Sequence, residues 1–103
     1  MAVYAVSYTY IPENDEMTAM RPLHVDFLAS LYKQGRILAS GRLTEGDPLG
    51  ALIIITGESV SEVESTMGRD PFYANGFVAE RQIRQWNLAF GVVGAPGTEG
   101  PES

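Results

Sequence analysis

The sequence predicts an α+β domain, a ferredoxin-like βαββαβ arrangement with a four-stranded antiparallel sheet. Three observations carry this reading. Four segments alternate or run apolar as strands do, and two show helical spacing, in the order strand, helix, strand, strand, helix, strand. Two short helices can cover only one face of such a sheet. The strands nevertheless carry more apolar and aromatic side chains than one covered face would need. The second face is therefore expected against another copy, as a homodimer with its sheets face to face.

The first strand is Val3 to Tyr10, with Tyr4, Val6, Tyr8 and Tyr10 on one side and Val3, Ala5, Ser7 and Thr9 on the other. The small side suits close packing by a helix. The tyrosines are expected in the core or at the interface rather than lining a pocket. Ile11 to Met17, with Pro12, Asn14 and three carboxylates, reads as an acidic connecting loop. The first helix is expected to begin between Thr18 and Pro22, with Thr18 as cap and Pro22 in the opening turn, and to end near Gln34 with Gly35 in the left-handed position.

Arg36 to Leu43 reads as the second strand, with Ile37, Ala39, Gly41 and Leu43 alternating against Leu38 and Ser40. Gly41 within it marks a bulge or a close approach to the backbone. Thr44 to Gly50 is a turn, and Ala51 to Thr56 is continuously apolar, as a doubly buried strand should be. Ser59 and Glu62 form a capping box for a second helix, with Val60, Val63 and Met67 on its apolar stripe and Gly68 closing it. Asp70-Pro71-Phe72 is a rigid corner. Gly76 to Trp86 is the last strand, with Phe77, Ala79 and Ile83 on one side and Trp86 as a packing anchor. Leu88 to Val93 extends that strand or crosses to a partner. One domain over residues 1–93 is expected, followed by a disordered Gly/Pro-rich tail over 94–103.

Composition narrows the function classes. Thirteen acidic against seven basic residues give a formal charge of −6, unsuited to nucleic acid. There is no cysteine, which removes disulfides, thiolate metal sites and thiol catalysis. A single histidine without a carboxylate cluster makes a dedicated metal site unexpected, and nothing in the spacing calls for a cofactor. No membrane-length apolar run or cleavable leader is visible, so a cytoplasmic protein is expected.

The chemistry centres on His24. Counting from it, Phe27, Leu28 and Leu31 lie at i+3, i+4 and i+7, so the imidazole shares the apolar face of its helix. A buried ring must find a hydrogen-bond partner, whether a backbone carbonyl, a tyrosine hydroxyl or a carboxylate. Near a helix start, the partial positive charge would favour the neutral ring. Asp70 is the candidate carboxylate, although an Asp before Pro also forms turns on its own account. With both helices parallel, the end of the second lies far from the start of the first. The two residues then meet only if the loop after the second helix folds back, or if a partner subunit supplies one of them. Arg21, one turn before His24, would either steady a substrate anion or pair with the acidic loop. Ser40 offers a hydrogen bond to a substrate.

Arg21 to Leu28, Gly35 to Leu43, Gly50-Ala51-Leu52, Asp70-Pro71-Phe72 and Ile83 to Asn87 together resemble the YCII-related (YciI-like) domain. That resemblance runs from about Tyr4 to Asn87. It implies a dimeric α+β barrel and a site built from His24 and Asp70 with Ser40 close by. Arg21, Gly41 and Phe72 belong to the implied substrate-binding set. Arg42 departs from the family pattern, which often has proline there. The resemblance implies general acid–base chemistry of isomerase, lyase or dehydrochlorinase type on a small ring-derived substrate. The alternative is a non-catalytic small-ligand-binding or accessory domain.

Overall fold

The structure is a computed structural model describing residues 1–93. Its elements are β1 (Ala2–Tyr10), α1 (Asp15–Lys33), β2 (Ile37–Leu43), β3 (Gly50–Gly57), α2 (Val60–Met67), α3 (Pro71–Ala74) and β4 (Val78–Gln85). The strands form one antiparallel sheet in the order β2-β3-β1-β4. This is the expected α+β ferredoxin-like arrangement, with one extra turn of helix before the last strand.

The helices cover the tyrosine side of β1, not the small side. Tyr4, Val6 and Tyr8 stand opposite Ile55, Ile53 and Ala51 of β3, and all six are buried. Met17 and Leu31 of α1, Val63 and Met67 of α2 and Phe72 of α3 close the same core. Aromatic bulk fills the gap between sheet and helices and removes more area from water than the small side could. Val3, Ala5, Ser7 and Thr9 face the open side, beside Leu52 and Ile54. Toward β4 that open side turns polar, where Ala5, Ser7 and Thr9 meet Arg84, Gln82 and Glu80.

Two register shifts break the alternation read from the sequence. One lies between Ile37 and Ala39, so Ile37 opposes Ile55 while Ser40 and Arg42 oppose Ile53 and Ala51. Ser40 and Arg42 therefore point to the helix side. The bulge is at Leu38 and not at Gly41, where an added Cβ would meet nothing within 4 Å. The other shift lies at Thr9/Tyr10, where Tyr10 pairs with Val78 and Ala79 is the extra residue. Ala79, left unpaired by the shift, is exposed, whereas Ile83 opposes Val6.

The first helix starts earlier than its sequence signals predict. Asn14 is its cap, accepting from the Met17 N–H at 2.8 Å, and Asp15 and Glu16 occupy the first turn where the helix dipole favours them. Thr18 does not cap; its hydroxyl donates to Glu13 at 2.8 Å. Pro22 consequently lies inside the helix, which continues past it and leaves the Thr18 carbonyl without the residue-22 donor. Gly35 takes the left-handed conformation at φ 78° as predicted. Ser59 caps α2 as expected, whereas Gly68 ends it in right-handed geometry (φ −64°). The Asp70 corner proves to be the start of α3, with Asp70 as its cap.

Past β4, the Trp86 N–H bonds the Val3 carbonyl, yet its side chain is 37% exposed, so it anchors less than predicted. Leu88, Phe90 and Val92 are exposed and do not extend the strand. The predicted tail, 94–103, lies outside the described residues. Among those described, no helix is long and apolar enough to cross a membrane.

Candidate active site

Because α1 begins at Asp15, His24 sits in its third turn, over the middle of the sheet. The helix-end effect fades beyond the first turn and does not set the state of this ring. What reaches the ring is Asp70. After α2, backbone bonds from Gly68, Arg69 and Asp70 back to Glu64, Thr66 and Met67 turn the chain, and α3 then runs against α1. This fold-back brings His24 and Asp70 together within one chain, with Nδ1 and Oδ1 2.8 Å apart.

Asp70 is fully buried and held on every side. Its Oδ2 accepts from the Tyr8 hydroxyl at 2.9 Å, and its Oδ1 also accepts from the Phe72 N–H at 3.0 Å. A carboxylate engaged as acceptor by these donors accepts from the imidazole too, which places the ring proton on Nδ1. Nε2 then carries the lone pair. No described residue hydrogen-bonds it. Phe72 stacks on the imidazole with centroids 4.1 Å apart and planes 4° from parallel, shielding that face from water.

His24 forms part of the wall of a cavity of about 390 Å³ between α1 and the β2–β3 edge. Its apolar wall includes Leu28, Ala29, Ala51 and Ile53, and its polar groups include Tyr10, Arg21, Ser40 and Arg42. This is the usual composition of a small-molecule site, apolar walls with a few convergent polar groups. Gly41 contributes backbone to the wall. Phe72 stands behind the imidazole and not on the wall, so it supports the ring instead of meeting a ligand. Arg21 does pair with the acidic segment, to Glu13 at 2.7 Å, and its Cζ also lies 5.2 Å from the Phe72 ring centroid.

Sequence reasoning missed the part played by two tyrosines. Tyr8, read as core or interface, is the third donor to Asp70, and burial together with that neighbouring negative charge pushes its hydroxyl far up, so it stays a donor. Tyr10 lines the cavity, and burial followed by the charge of Asp70 raises it to about 12. The signal for both was their strict alternation from Tyr4, which fixes that all point the same way as the site. Among the described residues no group of three or more His, Cys, Asp or Glu could hold a metal ion.

A family model, the YCII-related domain, matches residues 2–87. The chain belongs to that family. No curated protein matches this YCII-related chain. Among solved structures it is similar to 5-chloro-2-hydroxyhydroquinone dehydrochlorinase (TftG) from Burkholderia phenoliruptrix AC1100 in complex with 2,5-dihydroxybenzoquinone. The two share 22% identity over 84% of this chain and 95% of that one, with a TM-score of 0.65. It is also similar to an antibiotic biosynthesis monooxygenase, at 11% identity over 86% and 99% of the two chains and a TM-score of 0.54. Protein Atu4242 from Agrobacterium tumefaciens gives 11% identity over 86% and 94%, with a TM-score of 0.53. At these identities the likeness establishes the fold that the YCII-related chain shares with them.

Proposed function

We propose that this YCII-related protein is a cofactor-independent enzyme that moves a proton on a small ring-derived molecule, by isomerase, lyase or dehydrochlorinase chemistry. One observation carries the reading. A histidine that helps line a largely apolar cavity has its Nδ1 tied to a fully buried carboxylate, while its other nitrogen has no hydrogen-bond partner among the described residues. In this reading Nε2 is the general base and then the acid. Asp70 fixes the tautomer and steadies the imidazolium that forms. Ser40, Gly41 and Arg21 position the substrate. Acid–base catalysis by a positioned side chain contributes roughly 10²–10⁴-fold.

The structural neighbour, a 5-chloro-2-hydroxyhydroquinone dehydrochlorinase, supports a small-molecule reaction of this class. We further propose that the open sheet face pairs with a second copy. Leu52, 38% exposed at the middle of that face, and Phe90 and Val92, 94% and 92% exposed just beyond β4, support it.

The test is solvent-deuterium incorporation into 2-hydroxyhydroquinone, with chloride release from its 5-chloro derivative alongside. Turnover by the natural sequence and a loss of about 10²-fold or more in His24→Gln are expected. Turnover unchanged in His24→Gln overturns the reading. Binding of 2,5-dihydroxybenzoquinone with no proton exchange at all favours a ligand-capturing domain instead.

A further inference from the structure

Beside the His24 cavity lies a second one of about 250 Å³, bounded by the end of β1, the start of α1 and the β2–β3 connection. The two share three residues, Tyr10, Arg21 and Arg42. Two of the seven basic side chains of a chain with net charge −6 thus meet at one junction. Among the described residues, the wall of the His24 cavity holds both guanidinium groups and no carboxylate, while Glu13 and Asp47 line the far cavity only.

The two arginines differ in what they have left to offer. Arg21 is already paired with Glu13 at 2.7 Å. Arg42 makes no ion pair, hydrogen bond or ring contact among the described residues. It stands on edge strand β2, two residues after Ser40 and on the same side, because the Leu38 bulge turned both toward the helix layer. The Tyr10 hydroxyl, kept neutral by burial and the charge of Asp70, lines the same wall and adds a hydrogen-bond donor. A guanidinium with no hydrogen bond or ion pair among the described residues, next to a second one and over an apolar slot, suits one planar anionic group.

We propose that the His24 cavity takes a ring compound bearing an anionic group, a carboxylate or an ionised ring hydroxyl, and that Arg42 binds that group at the junction with help from Arg21. The proposal rests on the reading of this cavity as the substrate site and adds to it the charge class of the ligand. Arg42 is then the residue that selects anionic over neutral rings, while His24 acts on the opposite end of the same molecule.

Calorimetric titration with three probes tests this: 2,5-dihydroxybenzoate for the carboxylate, 2,5-dihydroxybenzoquinone for the ring oxyanion, and neutral hydroquinone. At low ionic strength at least one anion is expected to bind about tenfold or more tighter than hydroquinone. Arg42→Gln removes that preference and leaves hydroquinone affinity unchanged, Arg42→Lys restores most of it, and added salt erodes it. Which anion loses affinity separates the two sources of charge. Equal losses for charged and neutral rings, no loss, or no anion binding at millimolar concentration would each overturn the proposal. The two readings fail separately. Charge selectivity at Arg42 with turnover indifferent to His24 leaves this inference standing and removes the catalytic one, and the reverse result does the opposite.

Discussion

Two buried or half-buried carboxylates tie this fold together, and they differ in what their partners have left over. Glu62 sits in the first turn of α2 and accepts from Arg36 Nη2 at 3.0 and 3.1 Å, from the Thr66 hydroxyl at 2.9 Å and from the Glu58 N–H at 3.3 Å. Arg36 in turn donates Nε and Nη2 to the Thr56 carbonyl. That network is closed on itself, clamping the start of β2 and the end of β3 to α2. Asp70 is likewise saturated, by Tyr8, Phe72 and His24. Its network, however, ends on a ring that lines a cavity and whose second nitrogen no described residue uses. A polar cluster whose donors and acceptors all find protein partners holds structure, whereas one that delivers an unspent atom to a cavity is equipped for chemistry.

The comparison breaks first at Asp70. Asp70→Asn keeps the shape but offers an amide, which no longer dictates an Nδ1 proton or steadies an imidazolium. Turnover is expected to fall by roughly 10³-fold with the affinity for substrate nearly unchanged. Removing the carboxylate outright, in Asp70→Ala, strands Tyr8 and His24 in the core, and chemical denaturation is expected to show about 3 kcal/mol or more of lost stability. If either clamp is the purely structural one, it is Glu62, so the same pair of changes there should leave turnover alone.

Tyr8→Phe sharpens the contrast at the next level down. It deletes one donor to a fully buried carboxylate without touching the imidazole contact, so a stability loss of about 1–3 kcal/mol in denaturant titration is expected. The site keeps its Nδ1 bond, and turnover falls far less than in Asp70→Asn. Equal losses of turnover in both variants would mean that the carboxylate works as a unit with Tyr8 and not through His24.

Much of this architecture can be read from the residues. The order of elements, the capping pair Ser59 and Glu62, the left-handed Gly35 and the buried face of His24 follow from local rules of spacing and capping. The boundary of α1 does not, because Thr18 and Pro22 carry the standard start signals while Asn14 and the two acids after it carry better ones. That one shift moved His24 from the helix start to its middle, and with it the reach to Asp70. The bulges at Leu38 and Ala79 leave no mark in composition, yet the first decides that Ser40 and Arg42 face the site. Which side of β1 the helices choose is a property of volume across the whole layer, and no period-two pattern encodes it. His24 and Asp70 could be named as candidates from sequence, but their meeting depends on a chain reversal that tertiary packing sets.

The smallest expected effect concerns the closed network, and its pH dependence is what marks it as structural. Glu62 titrates below its ordinary value of 4.5, chiefly because the Thr66 hydroxyl donates to its ionised form, with the Glu58 N–H and Arg36 adding to this against the cost of burial. The folded value lies below the unfolded one. The stability it contributes is therefore present above about pH 4.5 and lost as pH falls through the lowered value. Glu62 is partly exposed and its ion pair is screened, so Glu62→Gln should cost no more than about 1 kcal/mol at neutral pH. Thermal unfolding of the two proteins should differ by a constant amount from neutral pH down to about 5, and the gap should close in more acid solution. A gap that persists unchanged in acid would mean that the Gln side chain has lost packing rather than charge, and that the clamp does not depend on the ionised carboxylate.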